Sequence, residues 1–417
     1  MALAAGAPLA WGQWIAFRGG RVIPGTAASV IERGTVLVRD GRIVDVGSVG
    51  KVRIPKGARI IDTTGKTLTP GFINAHGHVG ETVGLRSGPE LYTEENLLRQ
   101  LGLYARYGIT TVFSLGGDQA AGFKLRDQQA TATAGLQRAR LFVAGPVIGG
   151  KTAAEAAAHV DQAAAMRPDW IKIRVDDMLG SNVKMPAEAW RAVLTRAHEH
   201  KLPVAAHIYY LDDARALLEA GVDFIAHSVR DREIDDATIA LMKKRDVCLC
   251  PTLTREISAF VYESKPAFFD DPFFLKEADR QVLNQLLEPA RMDAMKKSRA
   301  AQTYKAGLEI ASRNLKKLAD AGVRIAMGTD TGPAARFQGY FEHMELELMA
   351  KAGLTPAQII RAATSDAARC MKAAGQVGAI EKGAWADLVV VGKNPLDDIR
   401  HMREIESVWV GGAQLPR

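Results

Sequence analysis

Eight short apolar segments, separated by helical patterns, dominate the sequence between residues 70 and 330. In order they read GFINAHGH, GITTVFSL, ARLFVAGPVI, DWIKIRV, LPVAAHI, VDFIAHSV, DVCLCPTL and VRIAMGTD. Apolar strands that alternate with helices indicate βα units on a parallel sheet, and eight units favour a closed barrel. The sequence therefore predicts an α/β fold with a (β/α)8 TIM barrel over residues 70–371.

Short β patterns flank this region at both ends of the chain. Residues 1–69 contain IAFRGGRVI, GTVLVRDGRIVDVG and RIIDTTGKTLT, and residues 372–417 contain GAIEKGAWADLVVVGKN and ESVWVGGAQL. Gly, Asp-Gly and Asn-Pro turn signals separate these runs. We expect the two terminal segments to form one small β-sandwich domain beside the barrel.

Composition excludes several classes of protein. The net charge of +7 is modest for 417 residues, and no basic tract accompanies it, which argues against nucleic-acid binding. No apolar run approaches the roughly 20 residues of a membrane span. The apolar start, MALAAGAPLAWGQ, lacks the basic residues of a secretory signal but could be the remnant of one. Cytoplasmic, periplasmic and secreted locations therefore all stay open.

The three cysteines, Cys248, Cys250 and Cys370, are few and lack the spacing of a zinc ribbon. We expect buried free thiols rather than a disulfide framework.

The first barrel strand ends in His76 and His78. Residues i and i+2 of a strand point to the same face, so both imidazoles can converge on one metal ion inside the barrel. His198 and His200 have the same spacing but belong to a helical pattern, where such residues do not face each other. We expect that second pair to be solvated.

Four further polar residues lie on later strands of the predicted barrel: Lys172 on the fourth, His207 on the fifth, His227 on the sixth and Asp330 on the eighth. A lone buried His is usually a core residue, and Lys172 could pair with Asp176 or Asp177. A lysine that reacts with CO2, however, becomes a carbamate that can bridge two ions. Their shared position at strand ends favours a metal site.

The remaining histidines, His159, His343 and His401, are expected to be structural or on the surface. The first part of the long connection after the seventh strand contains Phe260, Tyr262, Phe268, Phe269, Phe273 and Phe274. Long loops at this end of a barrel are usually functional. We expect segment 256–300 to be either a lid over the pocket or an arm that contacts another subunit.

The chain resembles the amidohydrolase superfamily of metal-dependent hydrolases over nearly its whole length. The resemblance rests on GRIVDVG, GKTLTPGFINAHGH, GITTV, DWIKI, the two later histidines, GTD and GAIEKGAWADLVVV. Within the superfamily it is most similar to the branch with imidazolonepropionases, prolidase-like enzymes and Xaa-Arg dipeptidases.

This resemblance implies a binuclear site. His76, His78 and Asp330 would hold one divalent ion, His207 and His227 the other, and carboxylated Lys172 and a hydroxide would bridge them. Zinc is the usual ion in the family, and relatives are often homo-oligomers. The hydroxide would attack a carbonyl, with Asp330 as general base and then general acid.

Tyr209 matches a tyrosine position of related dipeptidases and is the first candidate to stabilise the oxyanion, with Tyr210 the second; packing is the alternative for both. Related dipeptidases often have Gly-Gly-His where this chain has Gly-Gly-Lys151. Lys151, Arg174 and Arg255 could recognise a carboxylate or could instead form salt bridges. We expect a small peptide-like, N-acyl or aryl amide as the substrate.

Other functions remain open at this stage. A cyclic amide of the imidazolone type is a second substrate class. A mononuclear deaminase is disfavoured, because such enzymes usually lack the fourth-strand lysine and have Glu where this chain has Tyr210. The chain could instead be a barrel without catalytic activity that serves in binding or assembly. Such proteins tend to lose the metal-ligand residues, whereas this chain retains all six.

Overall fold

The computed structural model describes residues 12–130 and 135–416. Most of the apolar N-terminal run, and with it the hypothesis that this run is a signal remnant, therefore lies outside the described residues. Within the described ranges, no helix combines the length and the apolar character that crossing a membrane requires.

The strands of the described residues are β1 Ile15–Arg18, β2 Arg21–Val22, β3 Gly34–Arg39, β4 Arg42–Ser48, β5 Arg59–Asp62, β6 Thr67–Pro70, β7 Phe72–Gly77, β8 Thr82–Val83, β9 Arg86–Ser87, β10 Ile109–Ser114, β11 Arg140–Val143, β12 Val147–Ile148, β13 Ile171–Val175, β14 Val204–Ile208, β15 Phe224–Ala226, β16 Cys248–Cys250, β17 Leu388–Val391, β18 Ile405–Val410 and β19 Ala413–Gln414. The α-helices are α1 Glu94–Arg106, α2 Ala120–Ala130, α3 Ala153–Ala165, α4 Ala187–Glu199, α5 Leu211–Ala220, α6 Asp236–Arg245, α7 Leu253–Ser258, α8 Pro272–Leu275, α9 Arg280–Leu286, α10 Pro289–Lys297, α11 Arg299–Asp320, α12 Tyr340–Lys351, α13 Pro356–Ala362 and α14 Ser365–Cys370.

Parallel strands form the centre of the fold. One sheet has the order β11-β10-β7 and a second has the order β12-β13-β14-β15-β16. All pairs within these two sheets are parallel, and helices connect most consecutive strands. The predicted α/β character is therefore confirmed.

The third predicted strand is divided. Its first part is β11 and its second part is β12, and the two parts belong to different sheets. Gly145, with φ of 74°, and Pro146 separate them. A left-handed residue followed by a residue without an N–H donor interrupts the ladder of hydrogen bonds.

The eighth predicted strand forms isolated bridges instead of a continuous strand. Leu249 of β16 is bridged to Ile325, and Gly77 of β7 is bridged to Thr331. Between the bridges, Ala75 N donates to Met327 O at 2.9 Å. Asp330 has φ of 57°, which breaks the extended conformation. Segment 324–331 is nevertheless hydrogen-bonded to one strand of each parallel sheet.

The terminal β segments form two further sheets, β4-β3-β1-β5 and β19-β18-β17-β6-β2. In the second of these, β6 from the N-terminal part pairs antiparallel with β17 from the C-terminal part. A buried apolar cluster contains Phe17 and Val36 from the first sheet and Leu388 and Trp409 from the second. The expected limits of the domains stay a prediction.

The cysteine prediction was wrong for two of the three residues. Cys248 at the start of β16 and Cys370 at the end of α14 form a disulfide across 122 positions of sequence. Cys250 is a free, buried thiol, as expected. Spacing along the chain could not reveal this pairing, because the tertiary fold alone brings the ends of β16 and α14 together.

Most of the aromatic residues of the long connection pack into the core. Tyr262, Phe268, Phe269 and Phe274 are buried. Phe268 packs edge to face against Phe341, with ring centroids 5.8 Å apart. These four rings therefore belong to the core between segment 256–300 and α12, and the role of the segment as a lid or as a subunit-contact arm stays a prediction.

Candidate active site

The six residues expected at strand ends converge in the structure. Nε2 of His78 lies 2.9 Å from Oδ1 of Asp330, and Nε2 of His76 lies 3.6 Å from the same oxygen. Nζ of Lys172 lies 3.1 Å from Nε2 of His76. Parallel strands place their carboxyl ends together, so residues from distant parts of the sequence meet here.

The two later histidines join the same cluster. Nδ1 of His207 lies 2.9 Å from Nε2 of His227. The ring centroids of His227 and His76 are 4.7 Å apart. The four histidines of the cluster, Lys172 and Asp330 are therefore linked by one continuous set of contacts.

Partners on the far side of three imidazoles fix their orientation. Nδ1 of His78 lies 3.0 Å from the carbonyl oxygen of Gly116. Nδ1 of His227 lies 2.6 Å from the hydroxyl of Thr252, and Nε2 of His207 lies 2.8 Å from Oδ2 of Asp176. In each case the other ring nitrogen faces the cluster, which is the arrangement that metal-binding histidines adopt.

Burial keeps three of the imidazoles neutral, those of His76, His207 and His227. It lowers the pKa of His207 to about 3, and it lowers the pKa values of His76 and His227 well below the usual value. A neutral imidazole has a free lone pair for a divalent cation. The protonation states at neutral pH therefore suit metal binding.

Lys172 and Asp330 also have shifted pKa values. Burial lowers the pKa of Lys172 to about 7, so a large fraction of its amine is neutral near physiological pH. Burial raises the pKa of Asp330, but the Arg336 guanidinium and the histidines outweigh this effect and hold it well below the usual value. Asp330 is therefore an anion in the site.

Two of the clustered residues have left-handed backbone conformations. His227 has φ of 84° and Asp330 has φ of 57°. Such conformations cost free energy in residues other than glycine, and they persist where the surroundings hold them. His227 N donates to Cys250 O at 2.9 Å, and Asp330 N donates to His76 O at 2.6 Å.

A buried carboxylate behind the cluster supports β7 and segment 324–331, two of the segments that carry ligand candidates. Oε1 of Glu342 on α12 accepts hydrogen bonds from Asn74 at 2.7 Å, Thr329 at 2.6 Å and Thr331 at 2.6 Å. Asn74 in turn accepts from the backbone N–H of His76 at 3.0 Å. Sequence reasoning missed Glu342, because nothing local marks a glutamate in a helix as buried.

The cluster opens into a cavity of about 330 Å³. Its charged lining residues, apart from the ligand candidates, are Glu81, Arg174, Arg255 and Arg336. Arg336 forms an ion pair with Oδ2 of Asp330 and lies 3.1 Å from Oγ of Ser258. The sequence analysis did not identify Arg336, although it follows Asp330 by only six positions. The cationic lining suits an anionic substrate group.

Arg174 and Arg255 differ in their environments. Arg174 is exposed, whereas Arg255 is buried and forms an ion pair with Glu256 at 3.1 Å. Nε of Arg255 has no hydrogen-bond partner among the described residues. Part of the Arg255 guanidinium is therefore engaged in a salt bridge, which was one of the two roles expected for this residue.

The other three predicted site residues lie away from this cavity. Lys151 lines a separate cavity of about 1030 Å³. Tyr209 is buried under the Arg230 guanidinium, which lies 4.7 Å from its ring centroid. The hydroxyl of Tyr210 donates to Asp177 at 2.9 Å. The structure does not bring either tyrosine into the wall of the smaller cavity.

The histidines outside the cluster are structural or superficial. His198 and His200 are exposed at the end of α4 and contact Asp223 and Asp161. His343 is buried and bonds to the carbonyl oxygen of Tyr107 at 2.8 Å.

Imidazole and carboxylate are common ligands of zinc and related ions. His76, His78 and Asp330 each offer a ligand atom, and these atoms lie within 4.8 Å of one another. These three residues could hold one metal ion. His207 and His227 add two nitrogens next to them, so the donor chemistry fits a metal centre.

Known proteins resemble this chain in sequence and in structure. The sequence profile of the Amidohydrolase family matches residues 67–415. An imidazolonepropionase from Geobacillus kaustophilus (strain HTA426) is 24% identical over 405 residues, which cover 87% of this chain and 84% of that enzyme. An ochratoxinase from Aspergillus niger is 37% identical over 97 residues, which cover 22% of this chain and 19% of that enzyme.

A crystal structure of a Xaa-Pro dipeptidase with bound methionine in the active site has the same fold. The TM-score is 0.77 at 22% sequence identity, over 97% of this chain and 100% of that chain.

Proposed function

Because this chain belongs to the amidohydrolase family, we propose that it is a binuclear metal hydrolase that cleaves an amide bond in a small peptide-like, N-acyl or aryl amide. It is a hydrolase acting on carbon–nitrogen bonds. One observation carries the proposal: one continuous set of contacts beside a cavity links His76, His78, Lys172, His207, His227 and Asp330.

The metal ligands are assigned from the two parts of the cluster. His76, His78 and Asp330 would hold one divalent ion, and His207 and His227 would hold the other, with Zn²⁺ as the ion in both positions. Lys172 lies between the two parts and would bridge them as a carbamate. Its neutral amine adds to CO2 with loss of one proton, which forms an N–C bond and an anionic group with two oxygens.

When bound by these residues, divalent ions would lower the pKa of water and polarise a carbonyl oxygen. Asp330 has Oδ1 beside the histidines and Oδ2 beside Arg336, where a second lone pair can accept a proton. Asp330 then takes the proton of the attacking water and delivers it to the nitrogen of the departing amine. Arg336 holds the carboxylate in place during both transfers.

The substrate contacts follow from the charges of the cavity. Arg174 and Arg255 would bind a carboxylate on the substrate, which is consistent with an N-acyl amino acid or a dipeptide. The role of Tyr209 or Tyr210 at the oxyanion stays a prediction, since neither lines the cavity.

The hydrogen bonds of segment 324–331 to β16 and β7 support a closed (β/α)8 barrel over residues 70–371. The buried cluster shared by β1, β3, β17 and β18 supports a β-sandwich domain of residues 1–69 and 372–417. We propose this architecture, and a homo-oligomer, for the enzyme.

The decisive experiment combines metal analysis with a matched substrate panel. Zinc-loaded protein is expected to contain about two ions per chain and to release amines from N-acyl amino acids or dipeptides. The panel includes neutral aryl amides, esters and imidazolonepropionate, because the imidazolonepropionase relative favours a cyclic amide as the second candidate substrate. Protein without metal and without turnover would instead support a binding or assembly function.

A further inference from the structure

A second, larger cavity lies next to the proposed catalytic cavity. It has a volume of about 1030 Å³ and lies between β12, α3, the end of β13 and the segment that precedes α4. Val147 and Arg174 line both cavities. The two spaces therefore share a wall at the ligand candidates, since Val147 pairs with Lys172 in the sheet.

Exposed apolar side chains are concentrated in this larger cavity. Seven large apolar residues have substantial exposure in the described parts of the chain, and three of them line it: Val147 at 41%, Met166 at 39% and Val183 at 97%. Met185 and Pro186 add further apolar surface. Exposed apolar surface that is gathered in one concavity indicates a binding site.

Several polar residues of the larger cavity are bonded to other parts of the protein. Lys184 pairs with Asp213 at 2.6 Å, and Asp176 bonds to His207 at 2.8 Å. Nδ1 of His159 lies 2.8 Å from Gly149 O. Among the described residues, the Arg174 side chain has no ion pair or hydrogen bond, and it lies where the two cavities meet.

We propose that the larger cavity binds the acyl chain of an N-acyl amino acid whose amide lies at the metal ligands. This inference rests on the proposed function and narrows its substrate class to amides with a medium-length aliphatic acyl group. The acyl chain of the substrate passes Val147, and the carboxylate of its amino acid binds between Arg174 and Arg255. Length of the acyl group then becomes the main determinant of specificity.

The test uses decanoate and hexanoate, which are products of such substrates and need no turnover. Calorimetry with the metal-loaded enzyme is expected to show that decanoate binds at least about tenfold more tightly, because each buried methylene adds affinity. The double variant Val183→Asp/Met166→Asp should lose this preference. Its control is Leu98→Asp/Leu275→Asp, which adds the same charge at two exposed apolar residues elsewhere, each 42% exposed.

Equal binding of the two acids, or equal losses in the test and control variants, would overturn the proposal. A test variant that still binds decanoate but has an altered oligomeric state would also overturn the proposal. The cavity would then be a contact surface between copies of the protein. Kinetics with N-decanoylglycine and N-acetylglycine separate this result from the proposed function. If both substrates are hydrolysed at equal rates, only the proposed acyl-binding site is refuted. If decanoate binds but neither substrate is hydrolysed, only the proposed catalytic function is refuted.

Discussion

Asp176 accepts a hydrogen bond from Nε2 of His207 at 2.8 Å, and its side chain is completely buried. This bond leaves Nδ1 of His207 directed at His227 and at the proposed metal site. Replacement of Asp176 by Ala is expected to weaken metal binding by about 10–100-fold, because the imidazole loses its fixed tautomer and orientation. Competition with a chromogenic chelator measures the change.

The neighbouring Asp177 provides the matched control. It accepts a hydrogen bond from Tyr210 instead of a metal-ligand candidate. Asp177→Ala should therefore retain metal affinity within a few-fold of the wild-type protein. Equal losses in both variants would mean that Asp176 acts through the fold of the loop and not through His207.

Lys172 is predicted to carry CO2. Burial lowers its pKa to about 7, so the nucleophilic neutral amine becomes the main form as pH rises above that value. With ¹³C-bicarbonate, NMR should show a carbamate signal that grows from pH 6 to pH 8. Lys172→Ala should abolish the signal and lower activity by more than about 100-fold, since it removes a ligand as well as a charge.

Exposed Lys382 is the control for this experiment, and Lys382→Ala should keep both the signal and the activity. A carbamate signal in the Lys172→Ala protein, or turnover at the wild-type rate, would refute the bridging role.

Glu342 is predicted to stabilise the fold around the site. Its Oε1 accepts three short hydrogen bonds, and its Oε2 accepts from Gly339 N at 2.6 Å. Glu342→Leu leaves these buried donors without partners and should lower the free energy of unfolding by about 3–5 kcal/mol. Urea denaturation measures this. Glu347→Leu on the same helix should cost less, because its ion pair with Arg403 is partly exposed.

The ligand candidates could be predicted from the sequence because they depend on one local rule. Residues at the ends of parallel strands meet at one edge, and the two-residue period of a strand turns His76 and His78 the same way. The strand around Lys172 obeys the same rule. All three side chains accordingly reach the cluster in the structure.

The supporting residues could not be predicted, because they come from segments without such a pattern. Arg336 lies in an irregular connection and Thr252 has a left-handed conformation, with φ of 48°, before α7. The eighth strand was mistaken for a regular one, since the backbone turn at Asp330 depends on its bonds to β7. The aromatic residues of segment 256–300 gave no local sign that they pack inward.

The disulfide between Cys248 and Cys370 is expected to contribute strongly to stability. It closes a loop across 122 positions, and a cross-link of this length restricts the unfolded chain by about 2–5 kcal/mol. Cys370→Ala should lower the free energy of unfolding by that amount. Thiol titration of the denatured protein should give one thiol before reduction and three after it; three before reduction would contradict the bond.

His343 makes the stability of the protein depend on pH. Burial lowers its pKa to about 4, against the ordinary value of 6.5. Between these two values the unfolded state binds more protons than the folded state, so stability is lost as pH falls from about 6.5 to about 4. For this one residue the loss amounts to about 3 kcal/mol over the whole window.

His343→Gln keeps an N–H donor for the carbonyl oxygen of Tyr107 but cannot take up a proton. We expect the difference in unfolding free energy between wild-type protein and this variant to shrink steadily as pH falls through the window. Urea denaturation at half-unit steps from pH 7 to pH 4.5 provides the measurement, with the metal-ligand histidines identical in both proteins. Parallel curves would show that His343 takes up its proton without a cost to the fold.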